Sequence, residues 1–177
     1  CIDRGCVFFG LQRVHSIARW KEYGKAVYML GRKSELYIGS IPSFDAQHIC
    51  GIVASMLGIP CKALKNYLAV TLTPSNPILH TTRLYSMFKN YTEGVVYPRN
   101  ILFYEEWDDA SSDMLIKCDE EEQRLCSVIP IDLSEVVSLR IYYESLTASK
   151  LTEKIKSIKA FKGLTSPMKE VNDKWVP

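Results

Sequence analysis

The sequence predicts a mainly α-helical chain entered through an N-terminal antiparallel β-hairpin. Three observations predict it. Before Pro42, short apolar runs at residues 6–9, 26–30 and 35–38 sit between turn-forming residues. After Pro42, apolar residues recur at three- and four-residue spacing, and Gly and Pro mark the breaks. The length of 177 residues, 47% of them hydrophobic, suffices for one ordinary domain with its own core and no covalent staples.

The elements follow in order. Gly31-Arg32-Lys33-Ser34 is a plausible hairpin loop between 26–30 and 35–38, leaving an exposed strand edge near 6–9. Residues 12–22 are mixed, a loop or an irregular strand. A helix capped by Ser43 or Asp45 runs to Leu57, with Ile49, Val53, Met56 and Leu57 on one stripe and Gly58-Ile59-Pro60 as its stop. Residues 62–72 make a second helix through Leu64, Tyr67, Leu68 and Leu72. Thr73-Pro74-Ser75-Asn76-Pro77 breaks it; Asn76 is then an N-cap and Pro77 a first helical residue, starting a helix over 78–90. An aromatic, Pro-containing stretch fills 91–106. A long amphipathic helix follows over 108–129, with Met114, Leu115, Cys118, Leu125 and Ile129 inward. Residues 133–146 are expected to be helical, and 149–161 a short basic helix capped by Ser149 or Thr152. Residues 162–177 are loop-like.

Composition excludes several classes. Lys and Arg number 22 against 20 Asp and Glu, a net charge of +2 that does not make a nucleic-acid-binding arm. Lys150, Lys154, Lys156, Lys159 and Lys162 spread around their helix without regularly spaced stacking aromatics, so no nucleic-acid partner is expected. No apolar run approaches the roughly 18 residues of a membrane helix. The opening residues lack the features of a signal peptide and an initiator Met, so the chain is expected to begin inside a longer protein. Cys1, Cys6, Cys50, Cys61, Cys118 and Cys126 form no CxxC pair and are read as reduced thiols of a cytoplasmic protein. Cys118 and Cys126 lie too far apart along one helix to bridge. Asp119-Glu120-Glu121-Glu122 is most simply a solvated helix face, not a metal site. The dinucleotide, P-loop, nucleophile-elbow and zinc-protease motifs are all missing.

Among the three histidines, His15 reads as a surface or loop residue and His48 as part of an amphipathic helix face. His80 differs. If Asn76 caps and Pro77 starts the helix, His80 lies in or just past the first turn, where the helix dipole favours a neutral imidazole and welcomes an anionic substrate. Arg83 shares its face and could clamp a carboxylate or point to solvent. Asn76 needs no role beyond the cap, and Lys162-Gly163 could serve as a helix stop.

Residues 73–85, Thr-Pro-Ser-Asn-Pro-Ile-Leu-His-Thr-Thr-Arg-Leu-Tyr, resemble the catalytic-histidine segment of the opine dehydrogenases, the octopine/nopaline dehydrogenase family. Residues 11–25, running on to Leu30-Gly31-Arg32-Lys33, look like the segment that leaves that family's nucleotide domain. Residues 161–169, Phe-Lys-Gly-Leu-Thr-Ser-Pro-Met-Lys, look like its late Lys-Gly loop. The resemblance implies a two-domain oxidoreductase acting on CH–NH bonds, with a Rossmann domain binding NAD or NADP and a helical domain like the C-terminal domain of 6-phosphogluconate-dehydrogenase-like enzymes. It implies reductive condensation of an amino acid's amine with a 2-keto acid. Residues 1–42 would then be closing strands of the nucleotide domain, which lies mainly outside this chain, and 43–177 the catalytic and substrate domain. His80 matches the catalytic histidine; Gln12, Arg83 and Asn76 are substrate-side candidates; a homo-oligomer is compatible. His15 stands where the family usually has Pro. The family's segment bearing an Arg and the Asp that pairs with the histidine comes just after Pro177, so the chain alone is expected to be inactive. Two other readings are a dimerisation or regulatory domain of another Rossmann dehydrogenase and a non-enzymatic helical interaction module.

Overall fold

The structure, a computed structural model, describes residues 5–73 and 75–177. The chain forms two compact units, Cys1–Pro74 with Arg124–Val137, and Ser75–Gln123 with Ser138–Pro177.

The first unit contains strands β1 (Phe8–Leu11), β2 (Ser16–Glu22), β3 (Ala26–Arg32), β4 (Leu36–Ile41) and β5 (Cys61–Ala63), with helices α1 (Ala46–Leu57) and α2 (Leu68–Thr71). A three-stranded sheet has the order β1-β4-β5. Here β1 runs antiparallel to β4 with Gly10 opposite Gly39, and β5 runs parallel to β4 with Leu36 opposite Cys61. Parallel pairing requires a crossover, and α1 supplies it. Its inward Cys50 and Val53 pack on Leu36 and Ile38 of β4 and on Ile59. It stops where expected: Gly58 takes φ +59° and its N–H donates to the Ala54 carbonyl. A second cluster joins Leu64, Ala69 and Val70 to Leu133 and Val136.

Two local expectations fail in this unit. The hairpin is β2–β3, turning at Tyr23-Gly24-Lys25, and not 26–30 with 35–38. Residues 36–38 belong to β4, whose neighbours β1 and β5 lie far off in sequence. The helix expected over 62–72 shrinks to α2. Residues 61–63 are drawn into the sheet by β4, and the Asn66 side chain accepts from the Ala69 N–H, so helical structure starts only at Leu68.

The second unit contains α3 (Asn76–Phe88), most of α4 (Asp109–Val128), α5 (Leu139–Tyr142), α6 (Ala148–Ser157), β6 (Lys169–Val171) and β7 (Lys174–Val176). Its core holds Leu79, Phe103, Tyr104, Trp107, Leu115, Leu139, Tyr143, Leu151 and Ile155. The helix expected over 133–146 is one turn, α5. Upstream, Asp132 accepts from the Ser134 N–H and hydroxyl, a local turn that competes with the helix. α6 is capped by Thr147, whose hydroxyl accepts from the Lys150 N–H; Thr152 is instead buried against the Ser112 hydroxyl at 2.8 Å. The end of the chain is not all loop. β6 and β7 form a hairpin turned by Asn172 and Asp173, both at positive φ, a two-residue turn that Asn and Asp tolerate. Asp119 is buried rather than solvated: one carboxylate oxygen accepts from the Leu139 N–H at 2.8 Å, holding α5 to α4.

Candidate active site

α3 places the candidate residues. It begins at Asn76, with Pro77 in its first turn; the N-cap is Ser75, which makes no side-chain cap bond. The capping role expected of Asn76 is therefore absent, and Asn76 stands exposed as the first helical residue.

His80 is half-buried. Its Nε2 lies 2.8 Å from the Tyr104 hydroxyl, and its ring meets Phe103 edge-on at 5.6 Å between centroids. Burial lowers its pKa below the usual histidine value, so the ring is neutral at pH 7. Neutrality thus comes from desolvation, where the sequence suggested the helix dipole. Among the described residues its hydrogen-bond partner is a hydroxyl, not a carboxylate.

Tyr104 was not singled out by the sequence. Its ring stacks on Phe161 at 4.2 Å and 20° and lies parallel to Trp107 at 6.3 Å. Phe161 opens the Lys-Gly loop noted above, and that loop is pinned alongside. Phe103 N–H donates to the Leu164 carbonyl at 2.8 Å, and Gly163 N–H donates to a Glu105 carboxylate oxygen at 2.7 Å. Two segments about 80 residues apart in sequence, 73–85 and 161–169, therefore meet around Tyr104.

Arg83 is neither a solvent residue nor an open clamp. It is 2% exposed. Nε donates to the Phe103 carbonyl at 3.0 Å, Nη2 to the Glu106 carbonyl at 2.6 Å, and Nη1 to Ser111 Oγ at 3.1 Å and Asp108 at 3.3 Å. The guanidinium also lies 5.6 Å from the Trp107 ring. Burial pushes its pKa down and Asp108 opposes that, so the group remains a cation caged by carbonyl oxygens.

Gln12 belongs to the first unit. Its Nε2 donates to the carbonyls of Glu135 at 2.9 Å and Ala69 at 3.3 Å. His15 is exposed beyond β1, and His48 is exposed on α1. The described cysteines are all free thiols; Cys1 lies outside the described residues. Among the described residues no group of three His, Cys, Asp or Glu could hold a metal, and no helix is long and apolar enough to cross a membrane. The β4–α1 turn does not fit a dinucleotide pyrophosphate: it runs through Pro42 and a 3₁₀ turn, Ser43–Asp45, with no glycine to let backbone approach a phosphate.

The second unit thus presents a shielded histidine beside a buried aromatic stack. Residues 63–173 match the family described as NAD/NADP octopine/nopaline dehydrogenase, alpha-helical domain, and the chain belongs to that family. It is 28% identical over 174 residues to octopine dehydrogenase of Pecten maximus, covering 90% of this chain and 43% of that protein. It is 29% identical over 143 residues to the uncharacterized protein y4xO of Sinorhizobium fredii (strain NBRC 101917 / NGR234), covering 76% of this chain and 38% of that protein. Among solved structures, octopine dehydrogenase with NADH and L-arginine is similar at a TM-score of 0.74 and 24% identity, covering 97% of this chain and 45% of that one. That likeness shows the fold. The chain spans less than half the length of each of these relatives.

Proposed function

We propose that the chain is the catalytic, substrate-side part of an opine dehydrogenase that reductively joins the amine of an amino acid to a 2-keto acid, with NAD(H) or NADP(H) as cofactor. The observation that carries this reading is His80, half-buried and neutral inside the segment matched to the family. On this reading the strands within 1–42 complete a cofactor-binding domain, and 43–177 form the substrate side.

The reaction forms a C–N bond, releases the keto oxygen as water, and consumes one hydride and one proton. The reduced nicotinamide supplies the hydride when bound. His80 serves the oxygen: it hydrogen-bonds the keto group, drawing electrons from the carbon that the amine attacks, and passes to the departing oxygen the proton that it takes from the substrate's ammonium group. Burial holds the ring's pKa below the usual value, so a proton that it takes up is readily given on to the oxygen. Gln12 is proposed on the amino-acid side; its amide hydrogens are spent on main-chain carbonyls, which leaves its oxygen for an ammonium group. Asn76, exposed at the helix start, is proposed to meet substrate carboxylate. Arg83 acts inside the unit, holding the segment that bears Tyr104.

The test is His80→Gln in the longer polypeptide, assayed with pyruvate and a panel of amino acids including L-arginine. Losing a placed proton carrier lowers kcat by about 10²–10⁴, roughly 3–5.5 kcal/mol of barrier. The melting temperature should stay near wild type. A variant that melts lower but turns over at the wild-type rate overturns the assignment.

A further inference from the structure

We propose that the apolar face of the β2–β3 hairpin (Ala18, Trp20, Val27 and Met29) is the surface through which this chain pairs with a second copy of itself, the two hairpins stacking face to face. The inference goes beyond the proposed activity and does not depend on it.

The register sorts the hairpin's side chains onto two unlike faces. Ala18 stands opposite Met29 and Trp20 opposite Val27, so these residues share one face. Arg19 stands opposite Tyr28 on the other face, and the Lys21 ammonium lies 5.5 Å over the Tyr28 ring. The first face carries no charged residue. At its turn end Trp20, Tyr23 and Val27 border one shallow groove. The charged residues beside that groove, Glu22 and Lys25, are paired with each other at 2.6 Å. An anionic membrane or an acidic protein is held by cations set around the apolar groups. Here Arg19 and Lys21 lie on the opposite face. A neutral apolar face is complementary to another of its kind, and a two-fold axis supplies one without bringing like charges together.

The face is also large and uncovered. Trp20 is 74% exposed, Tyr23 92%, Val27 62% and Met29 59%. Among the described residues none of them joins a core cluster. A two-stranded hairpin without a packed face is marginal in water. The hairpin is a sheet apart from β1-β4-β5, so a cofactor domain built onto the larger sheet does not by itself cover it. Trp20, Tyr23, Val27 and Met29 offer on the order of 600 Å² of exposed side chain per copy. A pair then buries about 1,200 Å², which reaches the lower bound of a stable, specific interface. Two hairpin faces stacked about 10 Å apart form the thin core that each lacks alone.

Sedimentation velocity of the longer polypeptide, over about 1–100 μM, tests the pairing. The wild type should dimerise with a Kd of about 10 μM, as befits an interface of this size. Trp20→Glu and Val27→Lys each place a charge on the neutral face. Each should weaken association at least about 30-fold, the loss of an interface hot spot. Both side chains are exposed, so circular dichroism of the two variants should match wild type. Arg19→Gln, on the other face, should leave the Kd within about threefold. A wild type still monomeric at about 100 μM overturns the proposal. So does a dimer untouched by Trp20→Glu and Val27→Lys, or one lost with Arg19→Gln. A monomer that cosediments with phosphatidylserine vesicles, and no longer does so as Trp20→Glu, assigns the face to a membrane and overturns it as well.

Discussion

Gly10 and Gly39 stand directly opposite each other across the β1–β4 pair, beneath Val70 and Tyr67. A Cβ on Gly39 would lie 2.8 Å from a Val70 methyl and 3.1 Å from the Asn66 carbonyl oxygen; one on Gly10 would meet the other Val70 methyl at 2.9 Å. The absence of both side chains is what lets the Asn66–Val70 segment sit on the sheet. Gly39→Ala should therefore destabilise by about 1–3 kcal/mol, the cost of overpacking against a stiff β-branched side chain. Gly10→Ala should cost less, since its second neighbour is the mobile end of Tyr67. Urea melts of the two variants check the order; a Gly39→Ala chain as stable as wild type contradicts the packing.

Asp119 should give stability an unusual pH dependence. Burial raises its pKa, opposed by the N–H groups of Leu139 and Arg140 and by the Arg140 charge, with Glu120 adding to the rise. A pKa higher in the folded than in the unfolded state gives a contribution fully present below the unfolded value and lost as pH rises through the folded one. Asp119→Asn keeps an oxygen for the Leu139 N–H but cannot ionise. Relative to wild type it should gain stability from pH 4 to pH 7. Paired thermal melts across that range measure it; a constant difference would mean that Asp119 is not raised.

Glu106 works in the opposite sense. The Arg99 guanidinium contacts both its oxygens, at 2.7 and 2.8 Å, and its pKa falls to about 2. This contribution is present above the unfolded value, near 4.5, and is lost as pH falls toward 2. Arg99→Ala should raise the Glu106 pKa only part of the way, because the Leu102 N–H still donates to it. The stability cost should stay under about 1 kcal/mol, as for exposed ion pairs. A ¹³C titration of the carboxylate tests both halves.

Arg83→Lys should separate a structural from a ligand-facing role. A lysine cannot reach the carbonyls of Phe103 and Glu106 and the Ser111 hydroxyl together. Buried acceptors are then stranded, at about 2–4 kcal/mol. Denaturant unfolding should show this loss in the chain without substrate. Unchanged stability with a raised KM would instead assign Arg83 to substrate.

The parts of this fold legible in sequence are those marked by local chemistry. Gly58 ends α1 and Pro77 sits in the first turn of α3, because a left-handed cap and a missing N–H leave residue-specific traces. The strand partners were not legible, since β4 pairs with β1 and β5, and neither contact is local. Asn172-Asp173 did carry a turn signal, but β6 and β7 are three residues each, too short for a pattern. At the site, His80 stood out by its place near a helix start. Arg83 did not: four protein groups 20 to 28 residues onward cage it, and nothing in its own helical spacing announces them. Tyr104 lay hidden in an aromatic stretch whose folding depends on Phe161 and Leu164.

His80 and Arg83 lie one helical turn apart on α3, and Arg83 holds the main chain on either side of Tyr104. The imidazole and the anchor of its partner thus share one rigid mount. A small slide or tilt of α3 carries both with it, and the backbone beside the hydroxyl follows through the guanidinium. The distance between ring and hydroxyl is therefore tied to the helix as well as to the Phe161 and Trp107 rings.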